Sequence, residues 1–300
     1  VNLIRNLHRY FSDLLQWNKS YISRKKDLYL LKKKYGASFS LPSPSELLAQ
    51  KYVFVLSTGR CGTGFITNIL KQSPDLLVEH NPKPELEYVS SLIHRERADP
   101  KFLKFAILAA RFDTYFLDSY YRRKIYVETN NRVTFFAKAL YDVLPRSKFI
   151  HLVRNPADFV RSGMRRGYYQ NNNMMHQRLN PKDVNGWKKM TPFAKTCYEW
   201  NEINLYIENF KNYCGNKRCM TIKSEDLFSN PINVSLLFDF IGVKNPFSEY
   251  SNELIKSKIL SKPINRQIVG EFPKYEDWTD DEKSILRKYA ELYPNYDYLL

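Results

Sequence analysis

Only ten of the 300 residues are glycine and four are cysteine, and acidic side chains number 31 against 47 lysines and arginines. The four cysteines, Cys61, Cys197, Cys214 and Cys219, form no paired CxxC pattern, so a zinc ribbon or finger is excluded. They are also too sparse for a disulfide scaffold, although Cys214 and Cys219 are near enough in sequence to pair in an oxidising compartment. No apolar run approaches the length of a membrane-spanning helix. Repeats and low-complexity tracts are absent, and the first residues, with Arg5, His8 and Arg9 among apolar ones, do not form a secretory signal. The scarcity of acid leaves a net charge of +16, which favours an anionic partner: a nucleotide, an acidic polymer or a membrane surface. No RNP, KH or Cys/His finger motif accompanies that charge, which argues against nucleic acid.

What is present is apolar and aromatic, with 43% hydrophobic residues, 22 Tyr, 19 Phe and 4 Trp, enough for a substantial core. Residues 1–50 read as a basic helical arm: Leu3, Ile4, Leu7, Phe11, Leu14 and Leu15 recur at helical spacing beside Arg24–Lys26 and Lys32–Lys34. A solvated helix face and a membrane contact are both compatible with this arm. Residues 51–300 form the compact domain. Short apolar runs at 52–56, 76–78, 124–128, 148–153 and 219–222 predict strands, and helical patterns at 101–121, 133–143, 157–166 and 192–211 lie between them. That alternation predicts an α/β fold of three layers, α/β/α, around a mostly parallel sheet. Ligands in such sheets bind beyond the carboxyl ends of the strands.

Two motifs fall at such ends. After the strand ending at Leu56 the chain reads Ser57-Thr58-Gly59-Arg60-Cys61-Gly62-Thr63-Gly64-Phe65, a glycine turn running into a helix. Unpaired amides and the positive dipole end of that helix suit an anion, with hydroxyls from Ser57, Thr58 and Thr63 and a guanidinium from Arg60. Gly59 and Gly64 have the spacing of a triphosphate-binding loop, yet Phe65 and Ile66 stand where its Lys and Ser/Thr belong. A metal-dependent phosphotransferase needs both, so that class is disfavoured. The second motif is the strand 148–153 followed by Arg154-Asn155-Pro156 and a helix carrying Ser162 about two turns on. Arg154 and Ser162 aimed at one spot would hold a second phosphate; a local pair between Arg154 and Asp158 is the simpler alternative.

Together these stretches resemble the sulfotransferases that use 3′-phosphoadenosine 5′-phosphosulfate (PAPS). Ser57–Thr63 resembles their 5′-phosphosulfate loop, and Arg154 with Ser162 their 3′-phosphate pair. Tyr126-Val-Glu-Thr-Asn130 is similar to the strand end that usually reads Glu-Lys-Ser/Thr-Pro. Ile222-Lys-Ser-Glu-Asp-Leu227, with Asn230-Pro231 and Phe240-Ile-Gly-Val243, is similar to a later family segment. The resemblance covers residues 52 to about 243 and is nearer to the bacterial, carbohydrate and tyrosylprotein types than to the cytosolic small-molecule type. It departs at Ser224, where cytosolic members often have an adenine-holding Tyr, and at Thr129, where the family has Lys. Arg266, in Asn265-Arg266-Gln, is only loosely similar to a late 3′-phosphate ligand.

The resemblance implies a fold related to the P-loop nucleotidases, PAPS as cosubstrate without a metal, and transfer of a sulfuryl group to a hydroxyl, with a carbohydrate or glycolipid favoured. The alternatives are a P-loop phosphotransferase and a non-enzymatic binder of an acidic polymer. Arg60 is then expected to stabilise the leaving phosphate beside the amides of Gly62–Gly64. Cytosolic members use a His as base, but the corresponding stretch here, Glu128-Thr-Asn-Asn-Arg132, has none. Other branches use an acid soon after the first helix, where this chain has Val78-Glu79-His80. Glu79, His80 and, third, Glu128 are the candidate bases. Residues 163–191 are the expected lid or acceptor loop, with Tyr168, Tyr169 and Trp187 as stacking surfaces and Arg165, Arg166 and His176 as contacts to acidic groups. The expected location is cytoplasmic, or the Golgi lumen or a membrane if an anchor precedes the first residue.

Overall fold

Tyr52–Leu56 (β1) is buried at every position, because alternate side chains serve opposite faces of one sheet. Tyr52, Phe54 and Leu56 enter one cluster, and Val53 and Val55 the other. The computed structural model describes residues 40–87, 89–90, 99–170, 179, 183–229, 231–255 and 270–300, together with six helical positions between 22 and 33. β1 lies at the centre of a five-stranded sheet with Leu76–Glu79 (β2), Ile125–Glu128 (β3), Lys148–Val153 (β4) and Cys219–Lys223 (β5), in the order β2-β3-β1-β4-β5. Every pairing is parallel.

Parallel neighbours need crossovers, and helices supply them. In chain order these are α1 (Pro44–Leu48), α2 (Thr63–Leu70), α3 (Pro100–Arg111), α4 (Leu117–Arg122), α5 (Ala137–Val143), α6 (Pro156–Met164), α7 (Val184–Lys189) and α8 (Pro192–Cys214). They continue with α9 (Ser224–Ser229), α10 (Pro231–Ile241), α11 (Asn252–Ile255) and α12 (Asp280–Tyr289). α3, α5 and α8 cover the face that carries Tyr52, Phe54, Tyr126 and Phe149. α2 and α10 cover the face of Val53, Val55, Ile150 and Leu152. A third cluster, built on Trp200, Phe159, Trp278 and Leu286, brings the chain's tail against α6 and α8. The three-layer α/β/α expectation is thus met.

Two details differ from the periodicity. The helix expected over 101–121 is interrupted by a π-helical turn, Phe112–Phe116, opening directly after Arg111. Arg111 is fully buried and turned toward Glu128, a tertiary tie invisible to hydrophobic spacing. The compact body also takes in α1: Leu47 is fully buried and its carbonyl accepts from Tyr52 Oη at 2.7 Å. Most of the arm lies outside the described residues; Ile22, Lys25, Lys26, Tyr29, Leu30 and Lys33 are helical and exposed. No helix among the described residues is long and apolar enough to cross a membrane.

Candidate active site

β1 ends at the point where the chain order reverses, with β3 on one side and β4 on the other, the place where a crevice opens in sheets of this kind. Ser57–Gly62 fills it. Gly59 (φ 78°), Arg60 (φ 57°) and Gly62 (φ 83°) all take left-handed backbone, and Gly62 caps α2 without a side chain. A Cβ on Gly59 would lie 2.5 Å from Asn131 Nδ2, and one on Gly62 would overlap the Phe228 ring. The turn is therefore wrapped as tightly as glycine allows. It leaves the first amides of an eight-residue helix with no side-chain cap, a fit for a phosphate or sulfate group.

The hydroxyls expected as ligands are partly engaged in shaping the turn. Gly59 N donates to Ser57 Oγ at 3.1 Å, and Thr58 Oγ1 lies 2.9 Å from Cys61 Sγ and from the Gly59 carbonyl. Cys61 is fully buried and also contacts the Gly59 carbonyl through Sγ at 3.1 Å. Thr63 and Gly64 open α2. Phe65 packs edge-on against Phe228 with centroids 4.7 Å apart, so its role is to seat α9 against α2.

The second motif meets the first. Asn155 Oδ1 caps α6 by accepting from Ala157 N at 2.9 Å, with Pro156 in the first turn. Arg154 Nη1 donates to the Arg60 carbonyl at 2.9 Å, and its Nη2 lies 3.5 Å from Asp158. Arg154 thus makes the local pair with Asp158 and also braces the glycine turn through the Arg60 carbonyl. Arg60 Nε lies 3.2 Å from Ser162 Oγ. Burial, then the neighbouring Arg166 and Arg154 charges, lowers the Arg60 pKa from its usual value. Three guanidiniums thus share one neighbourhood, which a bound anion would relieve.

Several residues support the turn through contacts that their place in the sequence does not announce. Ser224 sits fully buried with Oγ 2.6 Å from the Cys61 carbonyl and 3.0 Å from that of Val153, tying the turn to β4. Glu225 accepts from Asn155 N at 3.0 Å and from Tyr298 Oη at 2.9 Å. Thr134 exchanges two bonds with Ser57, at 3.0 Å and 3.1 Å. Arg166 stands near enough to Arg60 for its charge to lower the Arg60 pKa. Only Ser224 and Glu225 lie in a stretch with a motif signal.

The candidate bases separate sharply. Glu128, on the same face of β3 as Tyr126, is fully buried in a bidentate pair with Arg111 (2.7 Å and 2.8 Å) and also accepts from Tyr126 Oη at 3.0 Å. Arg111 also donates to the Pro84 carbonyl at 2.8 Å, linking β3 to the loop that follows β2. His80 heads that loop. Its Nδ1 is 3.0 Å from the Thr129 carbonyl, which can only accept, so Nδ1 carries the proton and Nε2 the lone pair. Burial lowers the His80 pKa from its ordinary value, against the opposing pull of that carbonyl. Thr129, standing at the family's Lys position, joins His80 and Thr67 through its hydroxyl at 3.0 Å and 2.7 Å. Glu79 ends β2 in register with Glu128, half-buried, its carbonyl accepting from Thr129 N at 2.9 Å.

In the expected acceptor region, Tyr168 is buried against Phe159 and so belongs to the core. Tyr169 Oη donates to Glu199 at 3.0 Å and its ring meets Trp187 edge-on at 5.3 Å. Arg165 Nε donates to the Gly270 carbonyl at 2.9 Å. His176 and Arg266 lie outside the described residues. Among the described residues no group of three His, Cys, Asp or Glu is placed to hold a metal ion.

No curated relative matches the sequence. Among solved structures, a sulfotransferase from Alicyclobacillus acidocaldarius is similar at 17% identity, over 84% of this chain and 98% of that one, with a TM-score of 0.49. The sulfotransferase domain of the Synechococcus PCC 7002 olefin synthase is similar at 16% identity, over 84% and 96%, with a TM-score of 0.46. A sulfotransferase domain from the curacin biosynthetic pathway is similar at 15% identity, over 84% and 99%, with a TM-score of 0.48. Residues 53–247, which hold the glycine turn, Arg154, Ser162 and Ser224, match the sulfotransferase family, and the chain is a sulfotransferase belonging to it.

Proposed function

We propose that this sulfotransferase takes its sulfuryl group from PAPS and delivers it to a hydroxyl of a carbohydrate or glycolipid. The observation that carries the reading is the convergence of the two anion motifs: Arg60 on Ser162 at 3.2 Å, and Arg154 on the Arg60 carbonyl at 2.9 Å. A donor with phosphate at both 5′ and 3′ positions needs two cationic sites joined in one crevice. The glycine turn and the uncapped start of α2 suit the 5′ end; Arg154 and Ser162 suit the 3′ phosphate.

In this reading the acceptor oxygen forms a bond to sulfur as the bond from sulfur to the donor's bridging oxygen breaks. Arg60 and the amides at Gly62–Gly64 stabilise the charge gathering on the departing phosphate. The acceptor proton passes to a base. His80 is the first choice, because its Nε2 bears the lone pair, 3.4 Å from the Asn81 amide, and burial lowers its pKa; Glu79 beside it is the alternative. Both oxygens of Glu128 are committed to Arg111, which suits a structural role. The surplus of positive charge favours an acidic acceptor or its surroundings.

Calorimetry with 3′,5′-bisphosphoadenosine against 5′-AMP tests the donor. Tight binding of the bisphosphate alone supports PAPS, while equal affinities reject the roles of Arg154 and Ser162. Turnover of sulfur-labelled PAPS over a panel of glycans, glycolipids and small alcohols then assigns the acceptor.

A further inference from the structure

At the opposite end of the sheet from the glycine turn, Cys214 closes α8 and Cys219 opens β5. Gly215, with φ 73°, and a single 3-10 turn, Asn216–Arg218, fold the chain back between them. The two sulfurs lie 2.6 Å apart. Non-bonded heavy atoms keep about 3.5–4.0 Å, and a disulfide closes at about 2.05 Å, so this separation already lies nearer to a bond than to a contact. The backbone needs little further movement to permit it. Both residues are half-buried, hence within reach of a small reagent, whereas Cys61 and Cys197 are fully buried.

The surroundings favour the chemistry. Lys211 and Arg218 place positive charge beside the pair and oppose the effect of burial, which, with the hydrogen bond to Cys214, pushes the Cys219 thiol up. Lys211 Nζ is itself fixed by Glu208 at 2.9 Å and Thr221 Oγ1 at 2.8 Å. Arg218 is fixed by the Ser147 and Leu144 carbonyls, both at 2.7 Å. Either sulfur can donate to the other, and because burial pushes the Cys219 thiol up, Cys219 acts as the second nucleophile.

We propose that Cys214 and Cys219 are a disulfide-forming pair, closed by exchange with a small-molecule disulfide of the glutathione type. The Cys214 thiolate attacks one sulfur of the oxidised reagent, whose S–S bond breaks and releases one thiolate. Cys219 then gives its proton to water and attacks Cys214 Sγ, expelling the second reagent thiolate. Two protein thiols are oxidised to one disulfide, and one reagent disulfide is reduced to two thiols. The bridge fixes the end of α8 to the start of β5. Both elements support the anion site at their other reaches: Trp200 of α8 donates to the Arg154 carbonyl at 2.8 Å, and Ser224 follows β5 directly. In a reducing compartment the pair stays a dithiol; in an oxidising one it is closed, so its state reports where the protein works.

The test equilibrates the whole folded chain with reduced and oxidised glutathione at graded ratios. It is then quenched in acid, denatured without reductant, alkylated and mapped by mass spectrometry. At the oxidising end, peptides holding Cys214 and Cys219 are expected to lose both labels and appear joined and lighter by two hydrogens. Cys61 and Cys197 should keep their labels throughout. Cys214→Ser should leave Cys219 labelled. Full labelling of both cysteines at every ratio, a glutathione adduct on Cys214 that never resolves, or bridging to another cysteine would each overturn the proposal.

Discussion

Arg60 Nε lies 3.2 Å from Ser162 Oγ, joining the turn after β1 to the helix after β4 across 102 residues of chain. The contact makes two motifs one site, and the two residues should fail differently when removed.

Arg60→Ala removes a charge meant for the departing phosphate. It should lower kcat by roughly a hundred- to a thousandfold, the usual cost of losing one such donor. Ser162→Ala removes one hydrogen bond to a charged group, so bisphosphoadenosine should bind about tenfold or more weakly while kcat falls less. Steady-state kinetics and calorimetry on both variants separate the roles. An unchanged kcat in Arg60→Ala would exclude it from the transition state.

Gly62→Ala forces a Cβ into the Phe228 ring at φ 83°. Strain of this kind costs about 1–3 kcal/mol before the overlap is counted. Urea unfolding should show that loss, and adding Phe228→Ala should restore only the overlap part. Gly215→Ala is the control: its φ is 73°, but nothing lies within 4 Å of the added carbon, so strain alone is expected.

Arg111 and Glu128, both fully buried, should behave as an inseparable pair. Arg111→Met or Glu128→Gln alone strands a buried charge and should cost about 3–5 kcal/mol, whereas Arg111→Met with Glu128→Leu should recover most of it. Equilibrium unfolding of the three variants measures this coupling. A stable Glu128→Gln protein that has lost only activity would instead return Glu128 to the reacting centre.

The parts of this molecule that chain order alone encodes were the readable ones. β1 and the glycine turn announce themselves because burial on both faces demands an unbroken apolar run, and a turn at a strand end demands glycine; β4 is nearly as plain, its apolar run interrupted by the buried His151. Arg154 and Ser162 were legible for the same reason: they sit at fixed offsets from a strand end and a helix start. What stayed hidden depends on meetings across the chain. Nothing near Thr134 marks it as the partner of Ser57, 77 residues away, and Arg111 gives no sign that it will leave its helical face for Glu128. Tyr168 read as a stacking surface because aromatic content does not distinguish a surface ring from one buried against Phe159.

His80 makes the sharpest pH prediction. A free imidazole titrates near 6.5, and burial holds the folded value lower, so below about 6.5 the unfolded chain binds the proton more readily than the folded one. The stability that His80 contributes is therefore present above that pH and is lost as pH falls through the folded value. Activity should follow the same group: with His80 as base, kcat/KM holds steady across neutral pH and falls tenfold per pH unit on an acid limb whose midpoint lies below 6.5. In His80→Ala that limb should vanish, together with about a hundredfold of rate. If Glu79→Gln abolishes the limb and His80→Ala leaves it, the proton goes to Glu79. A limb that survives both substitutions removes this corner of the crevice from the proton transfer.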